Sequence, residues 1–481
     1  MRRIVLAGLL VHFFTEPGFT ESLPSYGKTF YGTLPGKPML LPRHVRRPEN
    51  LIVLDCVGDS LFEFKNGVHV PSLAKSEVVY EQDHLRAFVL LKKGVLDQNG
   101  RLLNPEDVVK VLEHMRQRLG NPLNVAKRVS WEPLDKKIVF EFSWPIDDLS
   151  KRLSMPETVL WRGTTADWAM NNVGPFQARS IPDKEGGSIR GTWVLEGYKK
   201  HHGGVPFLKQ LVLSWTSDVG FEAKQYQNGH QQMSRFGKRE HGKRKEKYKS
   251  KTFLSNVPST LFLRTKNLEP EKENTLFLES LSGLIDLKKL ETAGAYGTVK
   301  GQTLFMRAGD LSKRTRKRLS RLHGGKKNAT DILHGILQGR KLVFSYRDSK
   351  PIHARLLEKL TFILHQKGVA STIRANAKIS KSTVDEEVIV EMDEWVFDAS
   401  KLEYLLRQLF SAQLSKKNKS LNKVKTVSLK HLKSRYVRLL PVLPLVDYYS
   451  QITLRSDVLG LDENCMSCFS DVHFYKRPRL N

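Results

Sequence analysis

Residues 84 to 119 show a strand pattern, a turn and a helix pattern in immediate succession. "HLRAFVLL" alternates as a strand does, and "DQNG" then supplies turn residues. Asn104 is a helix-capping residue, and Pro105 suits the first helical position. The apolar residues that follow recur at helical spacing, which predicts a helix over 103–119.

Further strand and helix patterns surround this block. "KKIVFEFSW" at 136–144 predicts a strand, so residues 45–168 are predicted to form a small α+β unit. Beyond residue 253 the chain alternates strand, helix and strand at 340–348, 352–368 and 386–395. This order favours an α/β lobe with some parallel pairing.

A chain of 481 residues is too long for a single hydrophobic core, so more than one domain is expected.

The net charge of +29 is concentrated in three segments. Residues 235–251 hold nine basic and two acidic side chains, 312–327 hold eight basic and no acidic ones, and 413–433 hold seven lysines and no acid. Such runs predict solvated loops or helix faces, and an anionic envelope surface is a possible partner. Aromatic residues do not interleave with the basic ones as in single-strand binders, so no nucleic-acid partner is expected. A basic protein that binds nucleic acid or the envelope is kept as an alternative function.

The first 22 residues have the pattern of a signal peptide. Two arginines precede an apolar run from Ile4 to Phe14, and small and polar residues follow. The run is too short to span a membrane. No cysteine follows it, so a lipoprotein anchor is not indicated. We therefore expect an exported, soluble, periplasmic protein.

The three cysteines are Cys56, Cys465 and Cys468. The last two form a CxxC motif, but a zinc ribbon would need a second pair. A structural role, as buried thiols or one local disulfide, is favoured.

The stretch "KKHHGGVPFLKQLVLSW" at 199–215 allows three interpretations. His201 and His202 could bind a metal, although no H-x-x-x-H pair supports a helical site. Gly203 and Gly204 could contact a phosphate, although no Gly-Lys-Ser/Thr follows them. The third interpretation is a plain turn between strands, because glycine accepts positive φ.

A hydrolase is a further alternative. Gly58, Asp59, Ser60 and Leu61 match the block in which GDSL-type esterases present a nucleophilic serine. Such an enzyme also needs a histidine base. The sequence offers Asp331 and His334 in a D-x-x-H pattern, about 270 residues downstream.

Several blocks, in order, resemble the family 5 extracellular solute-binding proteins, which are the peptide- and nickel-binding subunits of ABC importers. "GVHVPSLAKS" resembles their G-x-x-x-P-x-L-A-x-S block, and "LEGYKKHHGGVPFLKQLVLSW" resembles N-P-D-Y-W-G-G-K-P-x-L-D-x-I-x-F. The resemblance extends from about residue 27 to residue 475. The other matching blocks are "HLRAFVLLKKGVLDQNGRLLNPEDVVKVLEHM", "VGPFQARS", "LVFSYRDSKPIHARLLEKLTFILHQKGVAST" and "LLPVLPLVDYYSQITLRSDVLGL".

The resemblance implies an α/β, two-lobed periplasmic-binding-protein fold of type II, cluster C-like, with an extra small α+β domain inserted in the first lobe. Lobe I would comprise 23–44, 169–252 and 446–481, the subdomain 45–168, and lobe II 253–445. In this family the diglycine turn joins two strands and carries no chemistry. Ligand would bind between the lobes and be enclosed by hinge closure.

The resemblance also implies a role and a ligand site. "WVFDASKLEYLLRQLFS" aligns with the family segment W-G-A-D-Y-P-D-P-x-N-F-L, which gives Trp395, Phe397 and Asp398 as ligand-binding residues. In peptide-binding members the matching aspartate pairs with the ligand's α-amino group. Ala399, Ser400 and Leu402 depart from the pattern, and Asp398 could instead cap the next helix. We expect a monomeric binding protein with a peptide or small-molecule ligand and an ABC permease partner, not an enzyme, and no cofactor, catalytic residue or metal.

Overall fold

The structure, a computed structural model, describes most of the chain outside the basic segments and the termini. The described residues are 24–38, 47–65, 68–117, 121–160, 173–180, 190–235, 250–255, 258–268, 271–292, 297–301, 328–346, 350–375, 386–396, 406, 409, 429–461 and 472–475. The predicted signal peptide, Cys465 and Cys468, and most of the basic segments lie outside them. None of the helices in the described ranges has the length and apolar character that crossing a bilayer requires.

The described helices are numbered in chain order. They are α1 Pro48–Val57, α2 Pro105–Gln117, α3 Leu149–Leu153, α4 Val219–Gln227, α5 Glu271–Leu284, α6 Leu287–Glu291, α7 Ala329–Leu337, α8 Pro351–His365 and α9 Leu429–Leu439. Short 3₁₀ turns lie at Pro122–Val125 and Pro156–Thr158.

The strands in the first half of the chain are β1 Pro24–Ser25, β2 Lys28–Thr33, β3 Phe62–Lys65, β4 Val68–Pro71, β5 Val79–Tyr80, β6 Arg86–Val89, β7 Ala126–Glu132, β8 Lys137–Phe142, β9 Phe176–Ser180, β10 Arg190–Gly197 and β11 Leu208–Thr216. Those in the second half are β12 Met233–Ser234, β13 Ser250–Leu254, β14 Ser259–Thr265, β15 Gly297–Gly301, β16 Lys341–Tyr346, β17 Ser371–Ala375, β18 Glu387–Val396, β19 Leu443–Arg455, β20 Val458–Leu459 and β21 His473–Tyr475.

The helix predicted over 103–119 forms as α2, and its start has the predicted cap. The Asn104 side-chain oxygen accepts a hydrogen bond from the backbone N–H of Glu106 at 3.0 Å. Val108, Leu112 and Met115 are buried on one face, as their spacing predicts. This face packs in a core with the antiparallel sheet β5-β6-β8-β7.

Three hydrophobic cores organise the described residues. The first core contains buried side chains from Leu261 to Tyr448, many of them on β14, β16, β18 and the first half of β19. These strands belong to the sheet path β12-β19-β14-β18-β16-β17. The second core gathers segments from Phe30 to Val472 around the sheet β2-β11-β10-β9. The third core is formed by side chains between Leu61 and Val173. Strand β16 runs parallel to both β17 and β18, which confirms the predicted parallel pairing in an α/β fold.

Strand β19 is shared by two of these cores. Its first half places Leu443, Leu445 and Val446 in the first core and pairs with β14. Its second half places Ile452 and Leu454 in the second core and pairs with β12 and β13. One continuous strand therefore connects two separately packed hydrophobic units.

Helix α1 lies on the second core, which receives Ile52, Val53, Cys56 and Val57. The predicted boundary at residue 45 placed this segment in the small subdomain instead. The division of the chain into domains stays a prediction. The Cys56 thiol is buried and free, and burial raises its pKa well above the ordinary value.

A close backbone contact joins the end of α1 to the segment before β9. Gly174 donates its N–H to the Val57 carbonyl at 3.2 Å. A Cβ atom on Gly174 would lie 2.3 Å from the Val57 carbonyl carbon and 2.4 Å from the Gly58 nitrogen. The Gln98 side-chain amide donates to the Gly174 and Phe176 carbonyls at 3.1 and 2.7 Å, which links the third core to this contact.

Replacement of Gly174 by alanine is expected to destabilise the protein by about 1–3 kcal/mol, because the new methyl group meets backbone atoms that cannot rotate away. Gly335→Ala is the matched control. Gly335 lies inside α7, is exposed, and has no atom within 4 Å of a built Cβ. Alanine there should stabilise by about 0.5–1 kcal/mol. Urea midpoints of both variants test the pair, and equal effects would contradict the prediction.

Candidate functional site

Of the three predicted ligand-binding residues, Trp395 lies within the described structure. It is near the end of β18, is 4% exposed, and packs edge-on against Phe262 with ring centroids 5.0 Å apart. Its indole Nε1 is buried and has no hydrogen-bond partner among the described residues. Phe397 and Asp398 lie outside the described residues. Their ligand-binding role stays a prediction, as does that of Trp395.

Two buried carboxylates precede Trp395 on β18. Glu394 accepts a hydrogen bond at 2.7 Å from Nζ of Lys350, the residue that precedes α8. The same ammonium group donates to Glu49 of α1, also at 2.7 Å. All three side chains are less than 5% exposed. One buried ammonium therefore joins a helix on the second core to a strand and a helix of the first.

Asp393 forms a second ion pair across the same contact. The Arg47 guanidinium, at the start of α1, lies 2.9 Å from Asp393 Oδ1, and both side chains are 3% exposed. Arg264 of β14 lies 3.5 Å from the other carboxylate oxygen of Asp393. Removing such charges from water costs several kcal/mol per ion, so each charge depends on its partner.

We call the buried ion pairs of Lys350 with Glu49 and Glu394, and of Arg47 with Asp393, the junction between the first and second cores. The pKa shifts at this junction follow from its geometry. Burial disfavours the charge on Lys350, but the Glu394 and Glu49 carboxylates outweigh burial and raise its pKa above the ordinary value. Burial raises the pKa of Asp393 and Glu394, yet Arg47 and Lys350 respectively outweigh it, so both values are lowered. These directions favour the charged forms of Lys350, Asp393 and Glu394 at neutral pH.

Sequence reasoning missed this junction. Glu49 and Lys350 are 301 positions apart, and Arg47 and Asp393 are 346 apart, so no local pattern connects them. The available signal was the pair Asp393 and Glu394 inside "EVIVEMDEWV", since adjacent carboxylates in an apolar strand need buried partners.

The stretch "KKHHGG" forms the connection between the antiparallel strands β10 and β11, as predicted for a turn. Its two histidines converge on Asp59. His201 Nε2 lies 2.8 Å and His202 Nε2 lies 2.7 Å from the same oxygen, Asp59 Oδ2. The imidazole rings are tilted with centroids 4.5 Å apart. The side chains of Asp59, His201 and His202 are 18%, 12% and 10% exposed.

The diglycine shapes this cluster. Gly204 has φ +105°, a conformation that favours glycine. A Cβ on Gly203 would lie 2.9 Å from His201 Cε1, so the imidazole packs where a larger residue would displace it. His201 Nδ1 lies 3.3 Å from the Gly204 carbonyl oxygen.

Asp59 follows α1 and is fixed by backbone pairing. Its carbonyl accepts a hydrogen bond from the Leu160 N–H at 2.8 Å in an isolated antiparallel bridge. Burial raises the pKa of its carboxyl group, but hydrogen bonds and charge from His201 and His202 outweigh burial and lower it. Sequence reasoning assigned Asp59 only to the GDSL block and so missed its contact with the histidines.

The residues of the hydrolase alternative are not brought together. The Ser60 hydroxyl donates to the Phe62 carbonyl oxygen. Asp331 and His334 are exposed on α7, whose buried Leu333 and Ile336 belong to the first core. Leu61 and Phe62, which follow Ser60, belong to the third core.

Comparison with known proteins identifies the fold. No family model and no curated protein matches the chain. Among solved structures, the oligopeptide-binding protein AppA from Bacillus subtilis, in complex with a nonapeptide, is 14% identical with a TM-score of 0.69 over 94% of this chain and 100% of that one. The periplasmic binding protein DppA from Helicobacter pylori, in complex with the peptide STSA, is 16% identical with a TM-score of 0.69 over 94% and 99%.

NikA from Staphylococcus aureus, in complex with Ni(L-His)2, is 14% identical with a TM-score of 0.66 over 93% of this chain and 100% of that one. These matches cover nearly the whole chain. The resemblance predicted from the sequence blocks is therefore confirmed at the level of the fold: this chain has the two-lobed α/β fold of the family 5 solute-binding proteins.

Proposed function

We propose that this protein is the substrate-binding protein of an ABC importer. It captures a peptide or similar small solute between two lobes and delivers it to a permease in the inner membrane. The observation that carries this proposal is that the continuous strand β19 connects the first core to the second, in a fold shared with peptide- and nickel-binding proteins. Such architectures close around ligands by hinge bending, without making or breaking bonds.

The end of β18 is the proposed place of ligand contact. Trp395 offers a buried N–H that lacks a partner among the described residues. Asp398, three positions further, is proposed to pair with an ammonium group of the ligand, since a carboxylate in a cleft with little water binds an ammonium well. Phe397 is proposed to contact the ligand as well. The ion pairs of Lys350 and Arg47 fix β18 against α1 and so support this end of the strand.

The same proposal covers location and partners. We propose that the protein works as a monomer in the periplasm, and that its basic segments contact an anionic envelope surface. The solved structures named above are of binding proteins, in agreement with the expectation that this chain is not an enzyme.

The test is mass spectrometry of small molecules released by denaturing the protein purified from its native envelope, beside a control protein of similar net charge. We expect one solute at about one per chain, bearing an amine. The Asp398→Asn variant should lose this solute, whereas Asp331→Asn, a change at an exposed position on α7, should retain it. No stoichiometric solute, together with no binding from a peptide library, would contradict the proposal.

Replacement of Trp395 by phenylalanine separates ligand contact from packing. The ring against Phe262 is kept while the indole N–H is lost, so affinity for the released solute should fall by a few-fold to about tenfold, the worth of one hydrogen bond. The urea midpoint should change little. Isothermal titration of both proteins with that solute provides the measurement, and unchanged affinity would remove Trp395 from the ligand site.

A further inference from the structure

The cluster of Asp59, His201 and His202 lies apart in sequence and in contacts from the end of β18. Each residue offers one ligand atom, and the three atoms lie within 4.8 Å of one another. We propose that these three residues form a binding site for a divalent transition-metal cation such as Zn²⁺, with ligand atoms His201 Nε2, His202 Nε2 and a carboxylate oxygen of Asp59.

Both ring nitrogens of His201 face oxygen atoms, an arrangement that is compatible with a cation at Nε2. Its Nε2 faces Asp59 Oδ2 at 2.8 Å and its Nδ1 faces the Gly204 carbonyl oxygen at 3.3 Å. An imidazolium would donate to both oxygens, whereas a neutral imidazole carries one N–H and can donate to only one of them. With a cation at Nε2, the Nδ1–H donates to the Gly204 carbonyl, which is the arrangement that orients metal-bound histidines in proteins.

The ligand atoms lie slightly closer together than a bound cation would hold them. Zinc bonds of 2.0–2.1 Å in a tetrahedral site place neighbouring ligand atoms about 3.3 Å apart. The distances from His201 Nε2 and His202 Nε2 to Asp59 Oδ2 are 2.8 and 2.7 Å. To admit the cation, each nitrogen would have to move about half an ångström away from that oxygen.

The donor set indicates the class of metal. Two imidazoles and one carboxylate suit Zn²⁺, Ni²⁺, Cu²⁺ or Co²⁺, whereas Mg²⁺ and Ca²⁺ prefer oxygen ligands alone. Three protein ligands leave a coordination position for water or an outside donor. The side chains are 10–18% exposed, which leaves solvent access to that position.

The cation would connect two parts of the molecule. His201 and His202 lie on the connection between β10 and β11, strands of the second core. Asp59 lies between α1 and β3, where the chain passes into the third core. Metal binding would therefore fix the third core to the second, and would raise thermal stability because the cation binds the folded state. This inference does not depend on the proposed solute.

The test uses the full chain, freed of metal with a chelator and titrated with Zn²⁺ by calorimetry. We expect one site per chain. His201→Gln, His202→Gln and Asp59→Asn should each weaken Zn²⁺ binding by more than about 100-fold, beyond the 10–100-fold that changes around metal ligands cause. His230→Gln removes an exposed imidazole outside the cluster and should leave Zn²⁺ binding unchanged. The double variant Cys465→Ser, Cys468→Ser removes two thiols and should also leave Zn²⁺ binding unchanged.

A spectroscopic measurement guards against variants that fold poorly. Cu²⁺ bound to the wild-type chain should show electron paramagnetic resonance splitting from two imidazole nitrogens, and each histidine variant should show one. Asp59→Asn keeps an oxygen that accepts hydrogen bonds, so it should keep the wild-type circular dichroism spectrum while losing Zn²⁺ affinity. Absence of Zn²⁺ binding in the wild type, or affinity within threefold of it in all three variants, would overturn the proposal.

Gly203 provides a test of positioning. Alanine there would place a methyl group 2.9 Å from His201 Cε1 and so displace a ligand without removing one. We expect Gly203→Ala to weaken Zn²⁺ binding by about 10–100-fold. Gly220→Ala is the control, because a Cβ at Gly220 makes only an ordinary contact, 3.5 Å from Asp218 Oδ1. Equal affinities in these two variants would contradict the proposed position of His201.

Discussion

Replacement of Lys350 by methionine is expected to lower the free energy of unfolding by about 3–5 kcal/mol, the usual result of removing one partner from a buried ion pair. The ammonium group lies 2.7 Å from carboxylate oxygens of both Glu49 and Glu394. Without it, two carboxylates remain buried with reduced compensation. Because Glu49 belongs to α1 and Glu394 to β18, the loss should loosen the contact between the two cores.

The control for this change is Lys367→Met, which removes the same charge from an exposed position after the end of α8. Its effect should stay within about 0.5 kcal/mol. Urea unfolding followed by tryptophan fluorescence measures both. A further variant with Lys350, Glu49 and Glu394 all changed to methionine should recover much of the loss, since apolar residues can replace a buried charge group. Equal urea midpoints for the Lys350 and Lys367 variants would contradict the role assigned to the junction.

Glu222 should make stability fall as the pH rises from about 4.5 to about 7. Its carboxylate is 2% exposed, and burial raises its pKa from 4.5 to about 7 despite hydrogen bonds from the Arg235 N–H and the Ser234 hydroxyl. The folded protein therefore holds this proton over a pH range in which the unfolded chain has released it. The contribution of the protonated Glu222 side chain to the free energy of unfolding is therefore fully present below pH 4.5, and it is lost as the pH rises to about 7.

The expected size of this loss is about 3 kcal/mol, because each unit of pKa difference corresponds to about 1.4 kcal/mol. The Glu222→Gln variant cannot lose the proton, so its stability relative to the wild type should increase by about this amount between pH 4.5 and pH 7.5. Glu358→Gln, an exposed change on α8, is the control and should track the wild type. Parallel stability curves for Glu222→Gln and the wild type across this range would show that Glu222 titrates normally.

Local sequence patterns predicted the local structure well. The Asn104 cap and the periodicity of Val108, Leu112 and Met115 depend on residues within one or two helical turns, so they determine α2 without help from the rest of the chain. The two-lobed fold was predicted in a different way, from the resemblance of several ordered sequence blocks to the family 5 solute-binding proteins. The diglycine turn between β10 and β11 was predicted on the same grounds.

The sites were decided by tertiary structure. Asp59 is 142 positions from His201, and the contact exists because the bridge to Leu160 and the turn at Gly203 bring two distant loops together. Lys350 likewise contacts Glu49, which is 301 positions away in the sequence, because the packing of the first and second cores brings them together. The sequence by itself determined which residues carry charge, cap helices and permit turns, since these are properties of a residue and its neighbours. The packing of the cores decided which charged groups are buried together and which candidate ligand atoms converge. Burial makes these partners necessary, because it removes the water that would otherwise solvate each group separately.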